Sequence, residues 1–320
     1  MINFKFNWVK LGLITSGLPK TNWSDSYLQF PTAIVLEDRI RVYITTRPKE
    51  QLDGKNVTYI RYFDLDRHNL FNIISFSSDP LLSLGGPGEF DQFGTMPGDL
   101  LYFSGKLLMF YTGWNRLQSV PYSFSIGLAI SEDKGKTFVK YSNGPIIGQS
   151  SINPLTCGSG ATIQENGIIH MFAISGIEWK IVNGKIEHTY GIKHATSKNS
   201  IDWDFEKEFA IFPNDEYEAI AAPTVIKING SYHMWFSYRG SFDFRNGQDS
   251  YRIGYAFSKD LYNWTRNDES AGIDVSIEGW DSKMICYPYV FYLDNEVYML
   301  YNGDTFGKES IGLAKLNIIE

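Results

Sequence analysis

Carboxylates, guanidiniums and aromatic rings stand in this chain at the edges of short apolar runs. Asp25, Asp99, Glu218, Lys283 and Tyr287 lie near the starts of such runs; Arg47, Trp114, Arg116, Glu178, Trp179, Arg239 and Asp304 lie at the ends of others. Two carboxyl groups held across one bond can act as acid and as base or nucleophile. Arginine forks onto oxyanions and hydroxyls, while flat rings offer apolar faces. Such a set suits a polyhydroxylated ligand, provided that the fold brings the runs to one mouth.

The elements that must position them repeat. Five segments share a small residue or Pro, an apolar stretch, a polar turn and alternating aromatics: PTAIVLEDRIRVYITTR from Pro31, PGDLLYFSGKLLMFYTGW from Pro97, GATIQENGIIHMFAISG from Gly160, PTVIKINGSYHMWFSYRG from Pro223 and PYVFYLDNEVYMLYNGD from Pro288. Their starts are offset by 66, 63, 63 and 65 residues, a spacing that marks a repeat architecture. Each segment reads as a hairpin of strands A and B, turning at Glu37-Asp38, Ser104-Gly105, Glu165-Asn166-Gly167, Asn229-Gly230 and Asp294-Asn295. A strand C follows from Ile60, Ile126, Ile192, Ile253 and Ile311, and a strand D opens on Phe71, Phe138, Trp203 or Trp264. The fifth unit has no strand D of its own, and residues 4–15 around Trp8 match one.

The sequence therefore predicts an all-β chain with one domain over residues 1–320. That domain is a five-bladed β-propeller with four antiparallel strands per blade, and the N-terminal strand closes the ring in the last blade. Strand A is innermost, so the start of A and the end of B meet at one rim of the central cavity. That rim gathers the residues named above. Other repeated features read as structural. SEDKGKTF, from Ser131, resembles an Asp-box turn whose Asp locks its own backbone. Asp91 and Asp281 hold matching places in EFDQFG and GWDSKM, which points to a cap at the start of strand A. His170 and His233 share a place in strand B, which favours packing over metal binding.

Composition narrows the classes of function. Aromatics make up 16% of residues, a share that favours strands. The net charge of −7, with no basic run, argues against a nucleic-acid partner. No stretch is long and apolar enough to span a membrane as a helix. The N-terminus interrupts its apolar residues with Lys5 and Lys10 and does not read as a signal peptide. Cys157 and Cys286 lie far apart with no metal-binding spacing, and no cofactor motif appears. The expected setting is cytoplasmic.

The stretches GEFDQFGTMPGDLLYFSGKLLMFYTGW and EGWDSKMICYPYVFYLDNEVYMLYNG, with the echoes of strand C, resemble the five-bladed glycoside hydrolase propellers of families 43, 32, 68 and 130. The resemblance spans essentially the whole chain. It implies a carbohydrate or sugar-phosphate ligand at the central cavity, and a cation in the channel of some relatives. In families 43 and 32 the catalytic carboxylates stand directly before the blade-one Pro, at the matching place in blade three and two residues before the blade-four Pro. Here those places hold Phe30, Ser159 and Ala221, and Met96 stands where family 130 has its acid.

A glycosidic bond needs carboxyl groups about 5 Å apart for retention or about 6.5–9.5 Å apart for inversion. Glu178 and Glu218 lead the remaining candidates, with Asp25 and Asp99 behind them. Trp179 lies beside Glu178 and could raise its pKa by desolvation. Arg47, Arg116, Arg239 and Lys283 could form an anion site, with Trp114, Trp179, Tyr287 and Asp304 as further substrate contacts. Three readings stay open: hydrolysis or transfer, phosphorolysis as in family 130, and sugar binding without catalysis. A scaffold for protein partners is a fourth.

Overall fold

The computed structural model describes residues 5–51, 54, 56–245, 247–308 and 311–319. The first strand is β1 (Lys5–Leu13). Blade one is β2 (Ser26–Val35), β3 (Arg39–Arg47), β4 (Tyr59–Asp66) and β5 (Asn69–Phe76). In blade two, β6 (Gly94–Met96) and β7 (Leu100–Phe103) are two pieces of one innermost strand, and both pair with β8 (Lys106–Asn115). β9 (Ser123–Ser131) and β10 (Val139–Lys140) complete that blade. Blade three is β11 (Cys157–Glu165), β12 (Ile168–Val182), β13 (Lys185–Ser197) and β14 (Asp204–Ile211). Blade four is β15 (Ala219–Ile228), β16 (Ser231–Arg239), β17 (Arg252–Ser258) and β18 (Trp264–Arg266). Blade five is β19 (Cys286–Leu293), β20 (Glu296–Asn302) and β21 (Ile311–Ile319), completed by β1, which pairs antiparallel with β21 and sets Trp8 opposite Leu316. The expected ring of five blades, closed by the N-terminal strand, is the observed one.

Local chemistry explains the hairpins. Asn166-Gly167 and Asn229-Gly230 take left-handed backbone angles at both residues, the type I′ geometry that matches strand twist. Between strands C and D, Asp133 accepts from the amides of Lys136 and Thr137. Asn199 and Asp260 do the same for their own turns in blades three and four. The Asp-box segment is thus one of three such locks among the described residues.

Inner strands lie between neighbouring blades and are buried on both faces. β16 has eight buried positions in nine, whereas the outer strand β5 has only exposed and half-buried ones. Five apolar clusters fill the five interfaces between blades. Tyr43 and Met109 belong to the cluster between blades one and two, and Phe110 and Met171 to that between two and three. Phe172 and Met234 belong to the cluster between three and four, Trp235 and Met299 to that between four and five, and Leu300 and Val42 to that between five and one. Burying each such side chain contributes about 1.5–3 kcal/mol. Asp91 and Asp281 brace their blades in the same way. Each accepts from a tyrosine of the second strand (Tyr111, Tyr301) and pairs with an outer-strand lysine (Lys140, Lys10). No described helix is long and apolar enough to cross a membrane.

Candidate ligand cavity

At four of the five blades the innermost strand breaks register just as it reaches the ring centre. The breaks fall between Gln29 and Thr32, Gly158 and Ala161, Ala221 and Thr224, and Cys286 and Tyr289. Within each break one residue is left-handed: Phe30 (φ 53°), Ser159 (φ 47°), Ala222 (φ 48°) and Tyr287 (φ 54°). Such a conformation costs a non-glycine residue about 1–3 kcal/mol and persists only where the surroundings enforce it. These residues line a narrow channel at the ring centre. Phe30, Ser159 and Tyr287 also line a broader cavity of about 510 Å³.

The wall of the cavity is aromatic. Phe30 stacks on Tyr287 at 3.9 Å, and Tyr122 stacks on Phe124 at 4.6 Å. The Tyr190 and Tyr251 hydroxyls lie 3.3 Å apart. Burial raises the Tyr122, Tyr251 and Tyr287 phenols, so they remain neutral O–H donors. Trp114 donates its indole N–H to Thr58 and shows the cavity its ring.

Charge enters through three guanidiniums and one carboxylate. Arg47 lies over the Tyr27 ring at 4.0 Å, and its Nε is buried without a hydrogen-bond partner. Burial lowers its pKa below the ordinary arginine value. Arg239, 3% exposed, lies over Phe244 at 3.8 Å. Its Nη atoms donate to Gly240 O, Ser241 Oγ and His188 O, all neutral oxygens, and its Nε has no partner. Arg245 covers the Phe244 ring at 4.2 Å and pairs with Glu187 through two N–H···O bonds of 2.6 and 3.1 Å. Glu187 is the one carboxylate among the described lining residues.

Of the residues expected at the mouth, Arg47, Trp114, Arg239 and Tyr287 line the cavity. The expected carboxylates lie elsewhere. Glu178 is 58% exposed: a register break between Gly176 and Glu178 carries it to the surface, where Lys180 stands 3.5 Å away. Its neighbour Trp179 stacks on His188 at 4.0 Å. Glu218 is buried in a two-point ion pair with Arg266 of β18 and accepts from the Asn214 amide. Asp25 sits at the blade-one rim, with its amide donating to Arg47 O. Asp99 faces the narrow channel, where it accepts from Thr162, Leu100 and Tyr289; burial raises its pKa in spite of those bonds. Asp304 accepts from the Lys283 and Met284 amides and so ties a loop. Arg116 and Lys283 are exposed, and Arg116 caps the Phe93 and Trp114 rings outside the cavity.

Glu187, Arg245, Phe244 and the tyrosines Tyr122, Tyr190 and Tyr251 were not among the expected residues. Glu187 had a readable signal. Asn183-Gly184, flanked by alternating residues, is a hairpin turn, and it extends β12 and β13 to 15 and 13 residues. Arg245 and Phe244 sit in the loop after β16, whose course no periodicity reveals.

No protein-family model matches the chain. Uncharacterized proteins of two Mycobacterium tuberculosis strains, CDC 1551 / Oshkosh and ATCC 25618 / H37Rv, are each 32% identical over 311 residues, covering 97% of this chain and 99% of their own length. Among solved structures, BT0996 in an RGII complex superposes with a TM-score of 0.74 and 19% identity, over 98% of this chain and 92% of that one. A structure from the GH130 family of mannoside phosphorylases, which contains glycoside hydrolases that target beta-1,2 mannosidic linkages in Candida mannan, gives 0.67 and 17% over 92% and 85%. A thermostable family-43 glycoside hydrolase gives 0.64 and 17% over 94% and 93%. At such identities the solved structures share the fold, while the mycobacterial likeness runs almost end to end. The chain thus belongs to the family of those mycobacterial proteins, and it is built on the five-bladed propeller found in glycoside hydrolases.

Proposed function

We propose that this protein is a carbohydrate-active propeller that takes a sugar into the cavity at the ring mouth, in a cytoplasmic setting. The observation that carries this reading is the make-up of the cavity: about 510 Å³, walled by tyrosine, phenylalanine and tryptophan rings and edged by arginines and neutral phenols. Rings supply flat faces for the C–H side of a pyranose, and guanidinium and phenol donors supply its hydroxyls. The nature of the structural neighbours supports the same substrate class.

Hydrolysis by a carboxylate pair finds little support in the cavity, because the described lining holds Glu187 alone. Sugar binding is therefore the first reading. A single observation favours a second one, glycosyl transfer to an external nucleophile such as phosphate. Glu187 could serve as the lone acid once Arg245, whose side chain is 49% exposed, swings away. The test is a product assay by mass spectrometry. The protein is incubated with a panel of oligosaccharides, with and without phosphate, beside Glu187→Gln. The first reading predicts ligand-induced thermal shifts and no product. Product that falls at least about 10²-fold in Glu187→Gln would establish the second reading instead. Neither shift nor product from any member of the panel would remove both.

A further inference from the structure

Arg41 and Arg266, elsewhere in this molecule, are neutralised by carboxylates. Arg41 Nε and Nη2 reach Asp64 at 2.7 and 2.8 Å, and Arg266 reaches both Glu218 and Asp268 at 2.7 Å. Arg61 lacks a carboxylate, but it donates to Ser24 Oγ and Pro19 O under the Trp23 and Phe76 rings and lines neither cavity nor channel. Arg61 also keeps Nε and Nη2 buried without a partner, so what sets Arg47 and Arg239 apart is that they line the cavity. Each lines the open cavity, each keeps a buried Nε without a partner, and neither meets a carboxylate among the described residues. A buried charge left unpaired is costly, and a bound counter-ion removes that cost.

We infer that the cavity holds an oxyanion site built by Arg47 and Arg239, and that the sugar it accepts carries a phosphate or carboxylate group. Two features give the site its shape. The Arg239 Nη atoms are tied to backbone and serine oxygens, so its plane is fixed against Phe244, and its buried Nε is left without a partner. The Arg47 guanidinium stacks on Tyr27 and makes no hydrogen bond among the described residues; its Nε is buried, which leaves its Nη atoms for two oxygens of one anion. Tyr287 lines the same cavity, and its phenol, kept neutral by burial, supplies an O–H donor there. Glu187 already occupies Arg245, which leaves these two cations for the ligand.

The charge of the ligand follows from the arginines alone, while its sugar body rests on the carbohydrate reading above. The test uses bare inorganic phosphate and acetate first, then glucose 6-phosphate, glucuronate and glucose, by calorimetric titration of the full chain. The expected result is saturable binding of phosphate or acetate with a Kd of roughly 1 mM or tighter. Arg47→Gln should weaken it at least about 10-fold, the loss of a charge-assisted bond, and Arg47→Lys should fall between. Arg67→Gln, a control in the surface pair with Asp294, should leave it unchanged. Melting curves establish that each variant is folded. Tighter binding of glucose 6-phosphate points to phosphate as the natural group, and tighter binding of glucuronate points to carboxylate. No saturable binding of either bare anion, or binding that survives Arg47→Gln, overturns the site. Anion binding with no response to any sugar would leave the site standing and sink the carbohydrate reading.

Discussion

Asp64 shows how single residues hold this ring together. Its carboxylate is fully buried and accepts from Arg41, Arg39 and Ser75. Burial pushes its pKa up, yet the bonds from Arg41 and Ser75 outweigh burial and hold it below the ordinary 3.8. A carboxylate whose folded pKa is depressed stabilises the fold above its unfolded pKa. That contribution is lost as pH falls through the folded value. Asp64→Asn should therefore cost about 3–5 kcal/mol at neutral pH, by stranding Arg41. The gap between the variant and the parent should close as acid titration passes below about pH 4. Urea melts of both proteins at neutral and acid pH would show this, and an equal gap at both would refute it. The same scale explains what the sequence left unread. Glu218 looked free to do chemistry because its partner, Arg266, lies 48 residues away on another strand. Asp91 and Asp281 read correctly as structural because they recur, and repetition is visible without coordinates.

Among the elements, the innermost strands carry the functional information. Their breaks at Phe30, Ser159, Ala222 and Tyr287 aim one residue in each of four blades at the ring centre, at the cost of left-handed backbone. Phe30 and Ser159 stand where the resembling families hold catalytic carboxylates, so the strained sockets are present and apolar or neutral groups fill two of them. Ala222→Gly should relieve the strain and leave stability equal or about 1 kcal/mol higher. Ala33→Gly, in the regular part of β2, should lower it by about 0.5–1 kcal/mol. If Ala222→Gly destabilised as much as Ala33→Gly, the strain assignment would fail. Hairpins were legible because alternation and Asn-Gly turns are local signals. The breaks were not, because a left-handed Phe or Tyr leaves no mark in composition. The extended β12–β13 hairpin stood between these cases: its Asn183-Gly184 turn was local, but it fell outside the repeat that organised the reading.

At the scale of the whole molecule, the offsets of 66, 63, 63 and 65 residues set the number of blades. The unmatched fifth unit set the closure by the N-terminal strand, and both are seen in the ring. A ring fixes where a ligand can sit, because strand starts and strand ends converge on one mouth. It does not fix which side chains line that mouth, since loops such as the one bearing Phe244 and Arg245 pack across from neighbouring blades. The central claim is that a sugar occupies this cavity. Screening on a glycan array tests it most directly, with the parent protein beside Ala221→Phe, which places a ring in the cavity at a buried lining position. Both proteins are checked by melting curve. The account predicts that the parent binds a restricted set of glycans, enriched in those bearing acidic groups, and that the blocked variant binds none. Glycan binding that persists in a folded Ala221→Phe protein, or a parent that binds no glycan, would contradict it.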